Sequence, residues 1–178
     1  MPSTFATSFK LFYITMKYAK VVFIMCGLLL TATTYGQTQK KSNMTTEQKK
    51  QLVVRFVELM TTKQSDKFGE IISQDYKQHN PMVKQGLVGI QEGSKWFESI
   101  FPDISANIDA LVVEGDIIVA RITWTGTHKG ELFGVPASNV KATWTGTDWW
   151  RIENDKLVEH WDVVDWSSLM HQIQTKKN

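Results

Sequence analysis

The sequence contains a single cysteine, Cys26, and only four prolines in 178 residues. One cysteine excludes a disulfide framework and also excludes cysteine-ligated zinc or iron–sulfur sites. Four prolines and eleven glycines exclude a collagen-like or proline-rich chain. Hydrophobic residues make up 42% of the chain and charged residues 21%, an ordinary balance for a folded protein. The length leaves room for one domain and at most a tail.

Several catalytic motifs are also missing. The sequence has no glycine-rich phosphate loop after a strand, no Gly-x-Ser-x-Gly nucleophile elbow and no His-Glu-x-x-His zinc motif. Its four histidines are scattered. We therefore expect no metal site, although His79, His160 and Asp162 would be the residues to form one if the fold brought them together.

The chain also has little net charge. The formal charge is +2, but residues 1–36 contain three lysines and no acidic residue. Without them the chain has 17 basic and 18 acidic residues, a net charge of −1. We therefore expect no nucleic-acid partner, because nucleic-acid binding needs a strong basic surface.

Residues 1–36 have the pattern of a secretory signal peptide. Two lysines precede the apolar run 21–30, and small and polar residues follow it up to Gly36. The apolar run is about ten residues long, too short to cross a bilayer comfortably. We predict cleavage after Gly36, export to the periplasm or the medium, and no stable membrane span in the mature chain. The alternatives are a retained anchor through residues 17–36 and a true start at Met16.

Residues 37–44 form a predicted polar linker, so the folded domain is expected at residues 45–178. Thr45 and Gln48 fit a capping box at the start of a helix. The apolar residues that follow recur at helical spacing: Leu52, Val53, Phe56, Val57 and Met60. This pattern predicts a first amphipathic helix of about sixteen residues.

Two more helices are predicted before the strands. Ser65 begins a second, short helix, and the stretch 75–81 after it is predicted to be irregular. A glycine-flanked turn at 86–93 leads into a third helix that ends before Pro102. One face of this helix carries the apolar residues that we expect to be buried: Trp96, Phe97, Ile100 and Phe101.

The hydrophobic period changes to two after the third helix, which indicates strands joined as hairpins. Glu114-Gly115-Asp116 is the first predicted turn. The predicted strands cover residues 104–112, 117–127, 140–152 and 157–165, and a helical turn at 167–173 ends the domain. Because helices and strands are segregated, the fold class is α+β, with helices on one face of a curved antiparallel sheet. Such a cone has one open end, which suits a small-molecule pocket.

Four stretches resemble a known family. They are Tyr-Lys-Gln-His-Asn-Pro at 76–81, Gly-Thr-His-Lys-Gly at 126–130, Phe-Gly-Val-Pro at 133–136 and Asp-Lys-Leu-Val-Glu-His-Trp-Asp at 155–162. In this order they are similar to the SnoaL-like polyketide cyclases of the nuclear transport factor 2-like (NTF2-like) superfamily, over residues 46–173. The resemblance implies a cone with about three N-terminal helices. The superfamily contains cyclases, isomerases, dehydratases, epoxide hydrolases and binding modules, so fold alone does not fix the activity.

The resemblance also implies a chemistry. The family's cyclases need no cofactor and close a ring by intramolecular aldol condensation, with an aspartate on the last strand that matches Asp162. Their histidine on the preceding strand is replaced here by Asp148, which departs from the family's pattern. His79, in a loop where the wider group often has histidine, would then be the candidate for the missing base.

Strand alternation places the same residues on two strand faces, which would line the cone if the resemblance holds. His160 and Asp162 share a face of the last strand, and Asp148 shares a face of the preceding strand with tryptophans. A carboxyl group among tryptophans and near another carboxyl group would have a raised pKa and would suit proton abstraction beside a carbonyl group. The alternative is that Asp162 is exposed, or paired with Arg151 or Lys141.

Other candidates for ligand contact are aromatic or imidazole side chains: Tyr76, Trp124, His128, Trp144, Trp150 and His160. Each has a structural alternative, since most of the seven tryptophans would serve as core filling, and His128 is more typical of a turn-stabilising histidine.

The sequence thus predicts an exported, cofactor-free protein that binds a small, partly apolar carbonyl compound. Its activity would be of the cyclase, isomerase or lyase type, and the alternative is a binding module without turnover. The threonines at 143, 145 and 147 and Trp149 would suit a sheet face that pairs with a second copy in a homodimer.

Overall fold

The computed structural model describes residues 43–175, so the predicted signal peptide and most of the predicted linker lie outside the described residues. The helices are α1 (Thr46–Thr61), a 3₁₀ helix (Ser65–Glu70), α2 (Gly86–Ile100) and α3 (Trp166–Gln174). The strands are β1 (Ile72–Gln78), β2 (Ser105–Glu114), β3 (Ile117–Thr127), β4 (Lys141–Glu153) and β5 (Lys156–Val164). Within residues 43–175, no helix has both the length and the apolar character needed to cross a membrane.

Helix α1 begins where the capping box predicts. The Thr45 hydroxyl accepts a hydrogen bond from the Gln48 backbone N–H at 3.2 Å, and the Gln48 side-chain oxygen accepts one from the Thr45 backbone N–H at 2.8 Å. The apolar face then packs into the core, where the Phe56 ring lies 5.4 Å from Trp150 of the sheet. Helix α1 therefore covers part of one face of the sheet.

The five strands form one curved sheet in the order β1-β5-β4-β3-β2. Strands β2 to β5 are antiparallel neighbours, as the predicted hairpins require. Helices α1 and α2 pack on the sheet and close the core between them. The α+β class is confirmed.

Strand β1 corrects the prediction that the stretch 75–81 is irregular, because residues 75–78 belong to this strand. It pairs in parallel with β5, with Gln78 opposite His160, so the sheet has a fifth strand and is mixed at this edge. The exposed residues Gln74 and Asp75 hide the strand pattern, and the pairing contains a register shift between Ile72 and Lys77. Edge strands with polar outer residues give a weak sequence signal.

Helix α2 also starts earlier than predicted. It begins at Gly86, whose φ of +81° is a left-handed conformation that glycine adopts without strain. Ile100 and Phe101 are fully buried, as expected. Trp96 is 42% exposed, because its face of the helix turns toward the opening of a cavity rather than into the core.

Candidate active site

A cavity of about 120 Å³ lies between α1, α2 and the sheet. Most of its lining is apolar, and it includes Phe56, Met60, Phe97, Trp124, Trp144 and Trp166. Its polar side chains are few and lie mainly on three adjacent strands and the segment after β1: Gln78, Asn80, Asp148, His160 and Asp162. A mostly apolar cavity with a few convergent polar groups is typical of a small-molecule site.

The register of β4 and β5 places the two carboxyl groups side by side. Asp148 pairs directly with Asp162, and Trp150 pairs with His160 in the next inward position. Side chains of directly paired residues share one face of the sheet, about 5 Å apart. The structure therefore brings both acids and the imidazole to the same cavity wall.

Asp162 is half-buried, and its side chain has an amide partner. Burial raises the pKa of Asp162 above its usual value, and the charge of Asp148 adds to this effect. The imidazole of His160 and a 2.8 Å hydrogen bond from Asn80 Nδ2 to Asp162 Oδ2 act in the opposite direction and are outweighed. Arg151, a possible partner at the sequence level, instead binds Glu153 and Glu159.

A chain of hydrogen bonds links β1, β5 and β4 beside Asp162. The side-chain oxygen of Gln78 lies 2.9 Å from His160 Nδ1, and His160 Nε2 lies 3.2 Å from Asp148 Oδ1. Because an amide oxygen only accepts hydrogen bonds, Nδ1 carries a proton and donates it. The contact between Nε2 and Asp148 then joins the imidazole and the carboxyl group as one hydrogen-bonded pair.

Tyr76 and Trp150 stand behind the cavity wall instead of lining it. Both are fully buried, and Trp150 Nε1 donates a 3.0 Å hydrogen bond to the Tyr76 hydroxyl. Burial raises the pKa of Tyr76 well above its usual value, so the phenol stays neutral. The Trp150 and Tyr76 rings stack near His160 at 5.1 and 6.3 Å, and they therefore position the imidazole rather than contact a ligand.

His79 lies on the other side of the sheet edge from the cavity. Its Nε2 atom is 2.8 Å from Glu159 Oε1, and its ring stacks on Trp161 at 4.7 Å. A shallow groove beside the cavity is lined by both His79 and Asp162, but the imidazole itself contacts Glu159. The structure therefore does not join His79 to Asp162 as an acid–base pair.

His128 is fully buried in the loop after β3, away from the cavity. Its Nδ1 atom contacts the hydroxyl of Ser138 at 3.0 Å and the Ser138 backbone N–H at 3.2 Å. Burial lowers the pKa of His128. His128 therefore stabilises the turn through Ser138 and does not line the cavity.

Gln78 and Asn80 were not predicted as site residues. Both lie in the stretch 76–81 that carries the family resemblance, but side-chain amides have no motif that predicts their role. Among the described residues, no three His, Cys, Asp or Glu side chains are arranged to hold a metal ion.

Comparison with known proteins identifies the family and the fold. The sequence model of the SnoaL-like polyketide cyclase family matches residues 50–173. TsrD from Streptomyces laurentii is 29% identical, with a TM-score of 0.70 over 74% of this chain and 98% of its own. AclR from Streptomyces galilaeus is 23% identical, with a TM-score of 0.66 over 72% and 97%. A SnoaL-like polyketide cyclase from Agrobacterium tumefaciens is 17% identical, with a TM-score of 0.64 over 73% and 99%. No curated protein matches the sequence.

Proposed function

Since this chain belongs to the SnoaL-like polyketide cyclase family, we propose that it binds a small, partly apolar carbonyl compound in the cavity and transforms it by acid–base chemistry. The observation that carries the proposal is the half-buried carboxyl group of Asp162 in a largely apolar cavity, with a raised pKa. A carboxylate of raised pKa is a stronger base near neutral pH than an ordinary surface carboxylate.

The proposed step begins with proton transfer to Asp162. The carboxylate takes a proton from the carbon beside a ligand carbonyl group, and the C–H electron pair forms the C=C bond of an enolate, with the negative charge on oxygen. In a cyclase the enolate carbon then attacks a second carbonyl carbon of the same ligand. The resulting alkoxide takes the proton back from Asp162, so the residue is regenerated. In an isomerase the proton returns to a different carbon.

The second acid–base group in this proposal is the His160–Asp148 pair. The family's pattern places a histidine on the preceding strand, whereas here that strand carries Asp148 and the last strand carries His160. The 3.2 Å contact between His160 and Asp148 supports the idea that the histidine and the aspartate have swapped strands relative to the family's pattern. We therefore propose His160 with Asp148, in place of His79, as the partner of Asp162.

Deuterium exchange tests this function without knowledge of the natural substrate. Purified protein is incubated in D₂O with 1-indanone and with linear 1,3-diketones, and loss of the α-proton signal is followed by NMR. We expect the protein to accelerate exchange and Asp162→Asn to reduce that acceleration by about 100-fold or more. The control is Asp75→Asn, which makes the same change on an exposed residue of β1. Equal acceleration by Asp162→Asn and the wild type would reject the role of Asp162.

The second candidate function is ligand binding without turnover. It is favoured by the fact that Asp162 and the imidazole already have hydrogen-bond partners within the protein. Quenching of tryptophan fluorescence by the same carbonyl compounds, with no exchange above the buffer rate, would support this candidate.

We also propose that the protein is exported and works as a homodimer. The charge and hydropathy pattern of residues 1–36 supports export, and an N-terminus at Gln37 by mass spectrometry would test it. The dimer is supported by an apolar row across the outer face of the sheet. Its residues are paired strand to strand: Val112 with Val119, Val119 with Trp149, and Trp149 with Trp161.

A further inference from the structure

The side-chain amide of Gln78 is enclosed at the polar end of the cavity, and only its oxygen is engaged. Gln78 is 4% exposed. Its Oε1 atom accepts hydrogen bonds from the Asn80 backbone N–H at 3.0 Å and from His160 Nδ1 at 2.9 Å. Its Nε2 atom is buried and has no hydrogen-bond partner among residues 43–175.

These contacts fix the orientation of the amide. A backbone N–H is always a donor, so the Gln78 atom that faces Asn80 must be the oxygen. Exchange of the two amide atoms would place an NH₂ group against that N–H and would lose this hydrogen bond. The position of Nε2 therefore follows from the surrounding donors.

The side chain also cannot easily turn to reach water. Gln85 holds the backbone of Gln78 from both sides: its oxygen accepts from the Gln78 N–H at 2.9 Å, and its nitrogen donates to the Gln78 carbonyl at 2.7 Å. Buried donors in folded proteins nearly always have an acceptor, and an orphan costs free energy. A donor kept unpaired in the wall of a cavity is explained if a ligand supplies the missing acceptor.

We propose that Gln78 Nε2 donates a hydrogen bond to a ligand oxygen, and that the site selects neutral carbonyl compounds. The acceptor is the carbonyl oxygen, which gains negative charge when Asp162 removes the neighbouring proton. Asp148 and Asp162 line the same cavity, so their charge disfavours a ligand that is itself a carboxylate. This inference rests on the proposed function, because it assigns Gln78 to the site that contains Asp162.

The test compares two flat bicyclic probes, 1-indanone and indane, which differ by a single carbonyl group. Their affinities for the full-length protein are measured by tryptophan fluorescence. We expect the wild type to bind 1-indanone about tenfold more tightly than indane, and Gln78→Met to bind both equally. Gln51→Met is the matched control, because Gln51 is exposed and contacts Glu47 on the surface of α1.

Each outcome decides a different point. If Gln78→Met keeps the preference for 1-indanone, or if the wild type has no preference, the role of Gln78 is rejected while ligand binding in the cavity stands. If the wild type binds neither probe, the proposed function and this inference both fail. NMR of the wild type serves if the variant does not fold: the Gln78 side-chain amide signals should move farther downfield with 1-indanone than with indane. Unchanged amide signals with 1-indanone bound would also overturn the proposal.

Discussion

Asn80 Nδ2 donates a 2.8 Å hydrogen bond to Asp162 Oδ2, and this contact joins the segment after β1 to the last strand. The bond lowers the pKa of Asp162 against the larger, raising effect of burial. Asn80 thus reduces the basicity of the carboxylate and orients it through this bond, which makes it a positioning residue.

The first prediction follows from this bond. Replacing Asn80 by alanine removes a contact to the charged form, so the pKa of Asp162 should rise further. The rise of the exchange rate with pH should move to higher pH. At a pH well below the midpoint the rate should fall by roughly fivefold, since such a bond contributes about 1 kcal/mol. Asn107→Ala, on exposed β2, is the control. A profile that keeps its midpoint would show that the bond has no effect on Asp162.

The second prediction concerns Glu159, on the outer face of the sheet. Burial acts to raise the pKa of Glu159, but hydrogen bonds from His79, Lys77 and Arg151 outweigh it and lower the pKa to about 2. Because the folded-state pKa lies below the usual value of 4.5, the stabilisation is complete above about pH 4.5 and is lost as the pH falls toward 2.

Glu159→Gln should therefore be less stable than the wild type by about 2 kcal/mol at pH 7. The difference should shrink as the pH falls below 4.5 and vanish near pH 2. Urea unfolding at several pH values measures it, with the exposed Glu114→Gln as control. A constant difference between pH 7 and pH 2.5 would contradict the assignment.

The third prediction concerns His128. Its pKa is lowered by burial, so the folded state prefers the neutral ring. The unfolded chain then binds more protons below the usual pKa of 6.5, and stability should fall as the pH drops from 7.5 to 5. In His128→Asn this part of the pH dependence should disappear. Denaturant unfolding at both pH values checks it, and His171→Asn, at an exposed position, should leave the slope unchanged.

The fourth prediction tests the homodimer. Val112 is 62% exposed at one end of the apolar row, so an arginine there should fit the monomer and disrupt the paired face. Light scattering after size exclusion should show dimer mass for the wild type and monomer mass for Val112→Arg at micromolar concentration. Val88→Arg is the matched control, since Val88 is equally exposed on α2. A monomeric wild type would refute the dimer.

The fold was largely predictable because its signals are local. The capping box at Thr45 and the turn at Gly115 lie within a few residues of the elements that they define, and both are present in the structure. Strand β1 was not predictable in the same way. Its hydrogen-bonding partner is about 80 positions away, and its polar outer residues conceal the period of two.

The missed strand explains the missed site residues. Along an extended chain, Tyr76, Gln78 and Asn80 alternate with Lys77 and His79. The first three point inward to the cavity wall, whereas the last two meet Glu159 outside. If residues 72–78 are not assigned as a strand, His79 is the most reactive residue of the motif and the natural candidate. Once the strand is known, its alternation places the side-chain amides of Gln78 and Asn80 at the site.

Strand β1 and the segment after it carry two of the five polar side chains named for the cavity, Gln78 and Asn80, at one edge of the sheet. Mild denaturant that frays this edge should therefore abolish the proposed proton exchange while the tryptophan fluorescence remains that of the native protein. Loss of the proposed activity would then occur at a lower denaturant concentration than global unfolding. An activity assay would measure whether β1 is paired with β5, not whether the whole protein is folded.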